Sequence, residues 1–429
     1  MKQFYSKFLR LSFTVAGFAL MSAQYSNGYI VSNEGVYNQS NASISYIDAN
    51  NNVTNNIYSL ANNGEVLGDV LQSIYFSGDK SYLVLNNSDK VVVADRASFV
   101  KSAVITNNIS QPRYTTIASG KIYTSNWGSQ TAQHVSVHDA NTLAFITNIP
   151  LSQDPEEIVT VNGKVYVNKS SYRAGNSIDV IDPTTNTIVK TITLSSGLQA
   201  ITVIGNDIFA LCTTSAGSTV YKINTATDTV AASITNAAIQ PPSQYEALKF
   251  TSEGTKLFIA GVTQSNVYSL DTDLLTFSST PLFTTTPSGS YGDFYGFSAI
   301  DGKIFQANTD FGPTSTVNVY NQTGTLLNTF TTTGGTNNVY KNVFTPGNLS
   351  VSDAAKFTNN ISIYPNPVSD VLYVKNADGA QFKIVDLSGR IVKSGVYQNG
   401  ITVSGLNKGN YIIQISGKNI QTSEKFIIK

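Results

Sequence analysis

The chain has 429 residues, 27 of them basic and 27 acidic, so the net charge is zero and only 13% of residues are charged. A neutral, sparsely charged chain argues against nucleic-acid binding driven by phosphate neutralisation. Polarity comes instead from Asn, Ser, Thr and Gly, and the mixture of β-branched residues and aromatics with turn formers predicts an all-β protein.

At the N-terminus, Lys2, Lys7 and Arg10 precede an apolar run over residues 11–21, followed by the small residues Ser22 and Ala23. This is the pattern of a signal peptide over 1–23, with cleavage expected after Ala23. The run is too short for a comfortable membrane span. No cysteine lies near the cleavage point to carry a lipid. No later stretch is long and apolar enough to cross a bilayer, so the mature chain is expected to be soluble once exported.

Residues 24–345 repeat a pattern. The clearest copy, residues 161–194, has three short strand signals separated by turn signals: Val165-Tyr166-Val167-Asn168, then Ile178-Asp179-Val180-Ile181, then Thr187 to Leu194. An aromatic following a Gly-containing turn recurs at Tyr82, Tyr123, Tyr166, Phe209, Phe258 and Phe305, with spacings of 41, 43, 43, 49 and 47. A polar residue closing the third strand signal recurs at Asp48, Asp95, Asp139, Asp182, Asn224, Asp271 and Asn321, with spacings of 47, 44, 43, 42, 47 and 50. A period in the forties with several strands per unit predicts a β-propeller, because a single four-stranded unit cannot cover both of its own faces. Seven blades fit the length. Six or eight stay open, since the irregular first and last copies could share a closing blade. The repeated aspartates read as turn formers that accept backbone hydrogen bonds.

The residues leading into the first strand of each copy form one column: Gln72, Arg113, Glu156, Gln199, Glu246, Tyr295 and Tyr340. Innermost strands border the central channel, so these side chains are expected to make a polar funnel with aromatic walls. Arg113 and Glu156, from adjacent copies, could pair. Trp127, the only tryptophan, is expected at a blade end, where it could stack on a planar ligand or pack locally. Tyr172 and Arg173 occupy the equivalent loop one copy later, and Tyr291 flanks another. His134 and His138 share one side of a strand but lie about 13 Å apart, too far to hold one metal. Cys212 sits in an apolar strand signal and reads as a small buried hydrophobe. No nucleophile elbow, phosphate loop, zinc or cofactor motif stands out, and no cofactor is expected. A glycosidase would need two carboxylates facing across a substrate, which Glu156 and Glu246 could supply.

The Val-Tyr-Val-Asn and Ile-Asp-Val-Ile-Asp-Pro-Thr-Thr-Asn segments resemble the YVTN family of propellers of surface-layer and YncE-like proteins. Ser32-Asn33-Glu34-Gly35, Ser40 to Asp48, Gly68 to Ser73 and Gln111-Pro112-Arg113-Tyr114 resemble an uncharacterised surface-propeller family that includes cobalamin-capturing surface proteins of gut bacteria. Those proteins are lipid-anchored partners of an outer-membrane transporter, whereas this chain carries a different C-terminal feature.

Residues 346–360 are small and polar and read as a linker, expected to contain the cleavage region. Residues 361–429 alternate with period two between Gly, Asn and Pro and predict a small immunoglobulin-like β-sandwich. Tyr364-Pro365-Asn366-Pro367, Asp386 with Gly389-Arg390, Leu406 to Gly409 with Tyr411, and the basic-aromatic tail resemble the type A C-terminal sorting domain of type IX secretion. That resemblance implies engagement of the secretion machinery, removal of the domain, and release or surface attachment. The combined expectation is a secreted or cell-surface, non-catalytic binding protein. Its partner would be a small molecule, glycan or protein. The alternatives are a lyase or hydrolase at the channel mouth, or an adhesin without a pocket.

Overall fold

The computed structural model describes residues 25–130, 132–170, 173–240, 248–261, 265–285, 294–343, 362–386, 391–417 and 420–429. The expected signal peptide, the 346–360 linker and Gly389-Arg390 lie outside the described residues. The chain divides into two compact units between positions 346 and 347.

Among its described residues the first unit holds seven antiparallel sheets. The second sheet runs Leu71–Ser77, Lys80–Leu85, Lys90–Asp95, Lys101–Ile105 in sequence order, and the third starts at Pro112–Ala118. The fourth starts at Ile158–Val161, the fifth at Leu198–Ile204, the sixth at Leu248–Glu253 and the seventh at Gly296–Ile300. The first sheet is built differently. The late strand Thr336–Asn342 pairs with Gly28–Asn33, which pairs with Ser43–Ile47 and then Val53–Thr54. One sheet thus draws its innermost strand from the end of the repeat region and the rest from the beginning, closing the ring with backbone hydrogen bonds. This is a β-propeller arrangement.

The apolar alternation explains the packing. The middle strands bury both faces, because sheets stand against neighbours on either side, while outer strands such as Thr187–Thr193 are largely exposed. Ile178 and Val180 of the fourth sheet meet Leu198, Ile208 and Ala210 of the fifth, while Ile181 meets Val135 and Val137 of the third. Comparable cores join each other neighbouring pair, and Phe305, Val317 and Val319 of the seventh sheet meet Val31 and Ile47 of the first. Cys212 lies inside the core between the fourth and fifth sheets, and burial pushes its thiol up to about 11.

Both repeat markers have structural causes. The recurring aromatics are all buried. Where the aromatic is Tyr and follows Gly-Lys, its hydroxyl and the Lys clamp the outer turn of the next sheet. Tyr123 donates to Asn186 Oδ1 at 2.7 Å and Lys121 to Pro183 O at 2.6 Å. One sheet on, Tyr166 donates to Asp228 Oδ1 at 2.6 Å, and Lys164 reaches both oxygens of Asp228 at 2.6 Å. The polar residue closing each third strand makes the turn: at all seven positions its side-chain oxygen accepts one or more backbone N–H groups from the next four residues.

The second unit packs a three-stranded sheet, Ile363–Tyr364, Val371–Val374 and Ile401–Thr402, with a four-stranded sheet whose central strands are Gln381–Asp386 and Gly409–Gly417. Its core contains Leu372, Val374, Phe382, Ile384, Tyr411, Ile413 and Phe426. Asn366, within the Tyr-Pro-Asn-Pro segment, accepts from Ile427 N at 3.0 Å and donates to Lys425 O at 3.1 Å, tying that segment to the C-terminal strand.

Candidate functional site at the channel mouth

The innermost strands pack side by side around the ring. Several carry a β-bulge near their first residue, and the bulges determine what the channel mouth presents. Gln72 lies in the bulge between Leu71 and Ser73, and Arg113 in the bulge between Pro112 and Thr115. Gln199 lies in the bulge between Leu198 and Ala200. A bulge inserts an unpaired residue and re-aims its side chain. In the fourth sheet the chain is held just ahead of the strand: Glu156 N donates to Asn168 O, and Asn168 N donates to Glu157 O, each at 2.9 Å. Tyr295 stands immediately before Gly296–Ile300.

The seventh member of the predicted column differs. In Thr336–Asn342 the irregular pairing skips Asn337, so Asn337 occupies the equivalent position. Tyr340 lies three residues further along the strand, where its hydroxyl accepts from Ile74 N at 3.1 Å. Tyr340 and its neighbours close the seam between the first and second sheets. Tyr172, Glu246 and Tyr291 lie outside the described residues.

Arg113 is the centre of one constellation. Its Nε donates to Glu156 Oε2 at 2.9 Å, and Nη1 donates to Gln72 Oε1. Its guanidinium lies 3.9 Å from the Trp127 ring centroid. Trp127 is itself fixed, its Nε1 donating to Pro155 O at 3.0 Å. The indole expected at a blade end is therefore half-buried and covers the arginine. Side-chain exposures of 13% for Arg113 and 15% for Glu156 show a pair that is largely but not wholly withdrawn from water. Burial pulls the Arg113 pKa down, yet the attraction of Glu156 and Tyr114 outweighs it and leaves the guanidinium more firmly charged. Burial beside Glu157 and Glu156 drives the Tyr114 phenol well up.

A second constellation joins the first and seventh sheets. Glu34 accepts from Tyr295 Oη and from Asn337 Nδ2, both at 2.8 Å. Burial raises the Glu34 pKa against those two bonds. Phe311 packs edge-on to Tyr295 with centroids 5.0 Å apart, and Lys249 Nζ lies 5.0 Å from the centroid of the same tyrosine ring. Burial lowers the Lys249 pKa, partly opposed by Glu34, and Arg173 lowers it further. Arg173, in the left-handed backbone region at φ 69°, is thus near enough to act on the same group. Gln199 donates to Gly197 O at 3.0 Å.

Glu157 is the most perturbed carboxyl with a definite value. Burial, then repulsion from Glu156, pushes it up to about 7. It accepts from Asn168 Nδ2 at 2.6 Å. The histidines have no share in this site: His134 contacts Ala132 O and Asn108 O, and His138 contacts Asn107 O.

Glu34, Glu157, Lys249 and Asn337 were not among the column residues. Glu34 lies in the Ser-Asn-Glu-Gly segment singled out in the first copy. Lys249 is three residues beyond Glu246, a shift that strand periodicity alone does not reveal.

The family of a domain of unknown function, DUF5074, matches residues 27–300. The chain belongs to that family. A secretion system C-terminal sorting domain matches residues 362–429. No curated protein matches the chain. Among solved structures, a protein from Lactobacillus plantarum is 13% identical, with a TM-score of 0.53, covering 73% of this chain and 98% of its own. The Dos1 propeller is 11% identical, with a TM-score of 0.46, covering 72% and 85%. The first of these two similarities concerns fold alone. The DUF5074 propeller is accordingly coupled to a type IX sorting domain, which indicates secretion or a cell-surface location and engagement with the secretion machinery. Among the described residues, no helix is long and apolar enough to cross a membrane.

Proposed function

We propose that the DUF5074 unit is a seven-bladed propeller of YVTN-like blades that binds a small polar ligand at its channel mouth without transforming it. An immunoglobulin-like sorting sandwich would carry it to the cell exterior. The observation that supports binding most directly is Arg113, held by Glu156 and Gln72 from the two flanking sheets and stacked on Trp127. Orienting a half-buried cation from three directions is costly unless its face is used, and polar groups converging on a concavity are the usual make-up of a small-molecule site. The test is a thermal-shift screen of the full chain against oligosaccharides, corrinoids and haem. A ligand at ~100 times its Kd should stabilise by about 2.7 kcal/mol. Arg113→Ala and Trp127→Ala should each abolish that shift. No shift at millimolar ligand, or a shift that survives both substitutions, overturns the assignment.

A second reading, a lyase or hydrolase, draws support from Glu157. A carboxyl titrating near neutrality beside Glu156 has the protonation behaviour of a general acid. Turnover of any bound oligosaccharide, lost in Glu157→Gln, would favour it over simple capture.

A further inference from the structure

This inference rests on the binding reading above and specifies the chemistry of the ligand. Lys249 is the second residue of Leu248–Glu253, the inner strand of the sixth sheet. It is half-buried, and among the described residues its ammonium has the Tyr295 ring as its contact, with no hydrogen bond or ion pair. Arg113, by contrast, is already engaged by Glu156 and Gln72. Next to the sixth sheet in the ring, the fifth presents Gln199. Its Nε2 is used by Gly197 O, and its Oε1 is buried without a partner. The inner strands of these two sheets pack directly against one another.

Among the described residues, neighbouring blades therefore leave a cationic donor and a neutral acceptor without a hydrogen-bond partner. Buried polar groups are nearly always paired, and the exceptions tend to mark functional positions. The wall beside them is held under backbone strain. Phe294 at φ 64° and Phe311 at φ 59° are bulky residues in the left-handed region; Phe294 immediately precedes Tyr295 in the chain, and Phe311 packs edge-on to the Tyr295 ring over which Lys249 lies. Strain of this kind persists where the surroundings over-determine it, commonly at ligand clamps.

We propose that this side of the funnel takes a hydroxyl-bearing carboxylate, a sugar acid in chemical class, with the carboxylate on Lys249 and a neighbouring hydroxyl donating to Gln199 Oε1. A neutral polyol would leave the ammonium without a directly bonded anion. A simple carboxylate would leave Gln199 unpaired. A doubly charged group would be opposed by Glu34, Glu156 and Glu157, whose charges all reach Lys249.

The experiment is isothermal titration of the full chain with D-glucuronate and D-glucose, using wild type, Lys249→Met and Lys249→Arg. Glucuronate should bind about tenfold or more tightly than glucose, one charge-assisted contact's worth. Lys249→Met should erase that preference without lowering the melting temperature, and Lys249→Arg should retain part of it. Equal binding of the two sugars, or a preference that survives Lys249→Met, overturns the assignment. If glucose and glucuronate bind equally, and Trp127→Ala abolishes both while Lys249→Met changes neither, the carboxylate assignment fails and the funnel remains a binding site. If neither sugar binds and the wider screen is also silent, both readings fail.

Discussion

Replacing Glu157 by Gln isolates the proton that the channel mouth holds near neutrality. The carboxyl titrates at about 7 in the fold against an ordinary value of 4.5. Between those two pH values the folded chain binds more protons than the unfolded one, so stability falls as pH rises through the window, and the loss is complete above about 7. The shift corresponds to a ceiling of about 3 kcal/mol at 1.36 kcal/mol per unit. Glu157 is half-buried rather than sealed. Solvent screening therefore reduces the expected effect to about 1–2 kcal/mol. Glutamine cannot ionise, so Glu157→Gln should be more stable than wild type by that amount at pH 8 and equal to it near pH 4. Asn168 is buried with Oδ1 unpartnered among the described residues, and a protonated carboxyl or an amide can donate to it whereas a carboxylate cannot. Urea melts from pH 4 to 8.5 measure the difference. Trp127 is the only tryptophan and is bonded to Pro155, two residues before Glu157, so its fluorescence reads this region. A difference that is constant across the pH range, or a glutamine variant that is less stable at pH 8, would falsify the assignment.

Two further outcomes follow from the packing. Asp228→Ala should cost about 2 kcal/mol, because it strips the buried Tyr166 hydroxyl and Lys164 of their shared acceptor. Asp228→Asn should recover most of that in calorimetric melts, since Asn186 performs the same task for Tyr123 one sheet earlier; failure of asparagine to recover stability would show that the clamp depends on charge. Cys212, with its thiol pushed up to about 11 inside the core between two sheets, should resist alkylation at pH 8 until the chain unfolds. Rapid labelling of the native chain would contradict that burial.

The sequence by itself determined the repeat, the ring of sheets and the sorting domain. Those features depend on local chemistry repeated many times: Asp182 and its six counterparts make the same side-chain turn, and alternating apolar residues such as Ile178 and Val180 bury the same face. Local rules of that kind survive without tertiary context. Gln72, Arg113 and Gln199 could be aligned because each stands at a similar offset from its Gly-Lys-type turn. Only the tertiary structure decided the rest. Asn337 stands in the column in place of Tyr340, three residues further on, because a one-residue bulge set by pairing with a strand some 300 residues away falls at Asn337. Trp127 turned inward because Pro155 of the next sheet accepts its N–H and Arg113 covers its face. Glu34 and Lys249 joined the mouth because ring closure brings the first, sixth and seventh sheets onto one axis. The charge balance of a channel is a sum over blades, and no single repeat carries it.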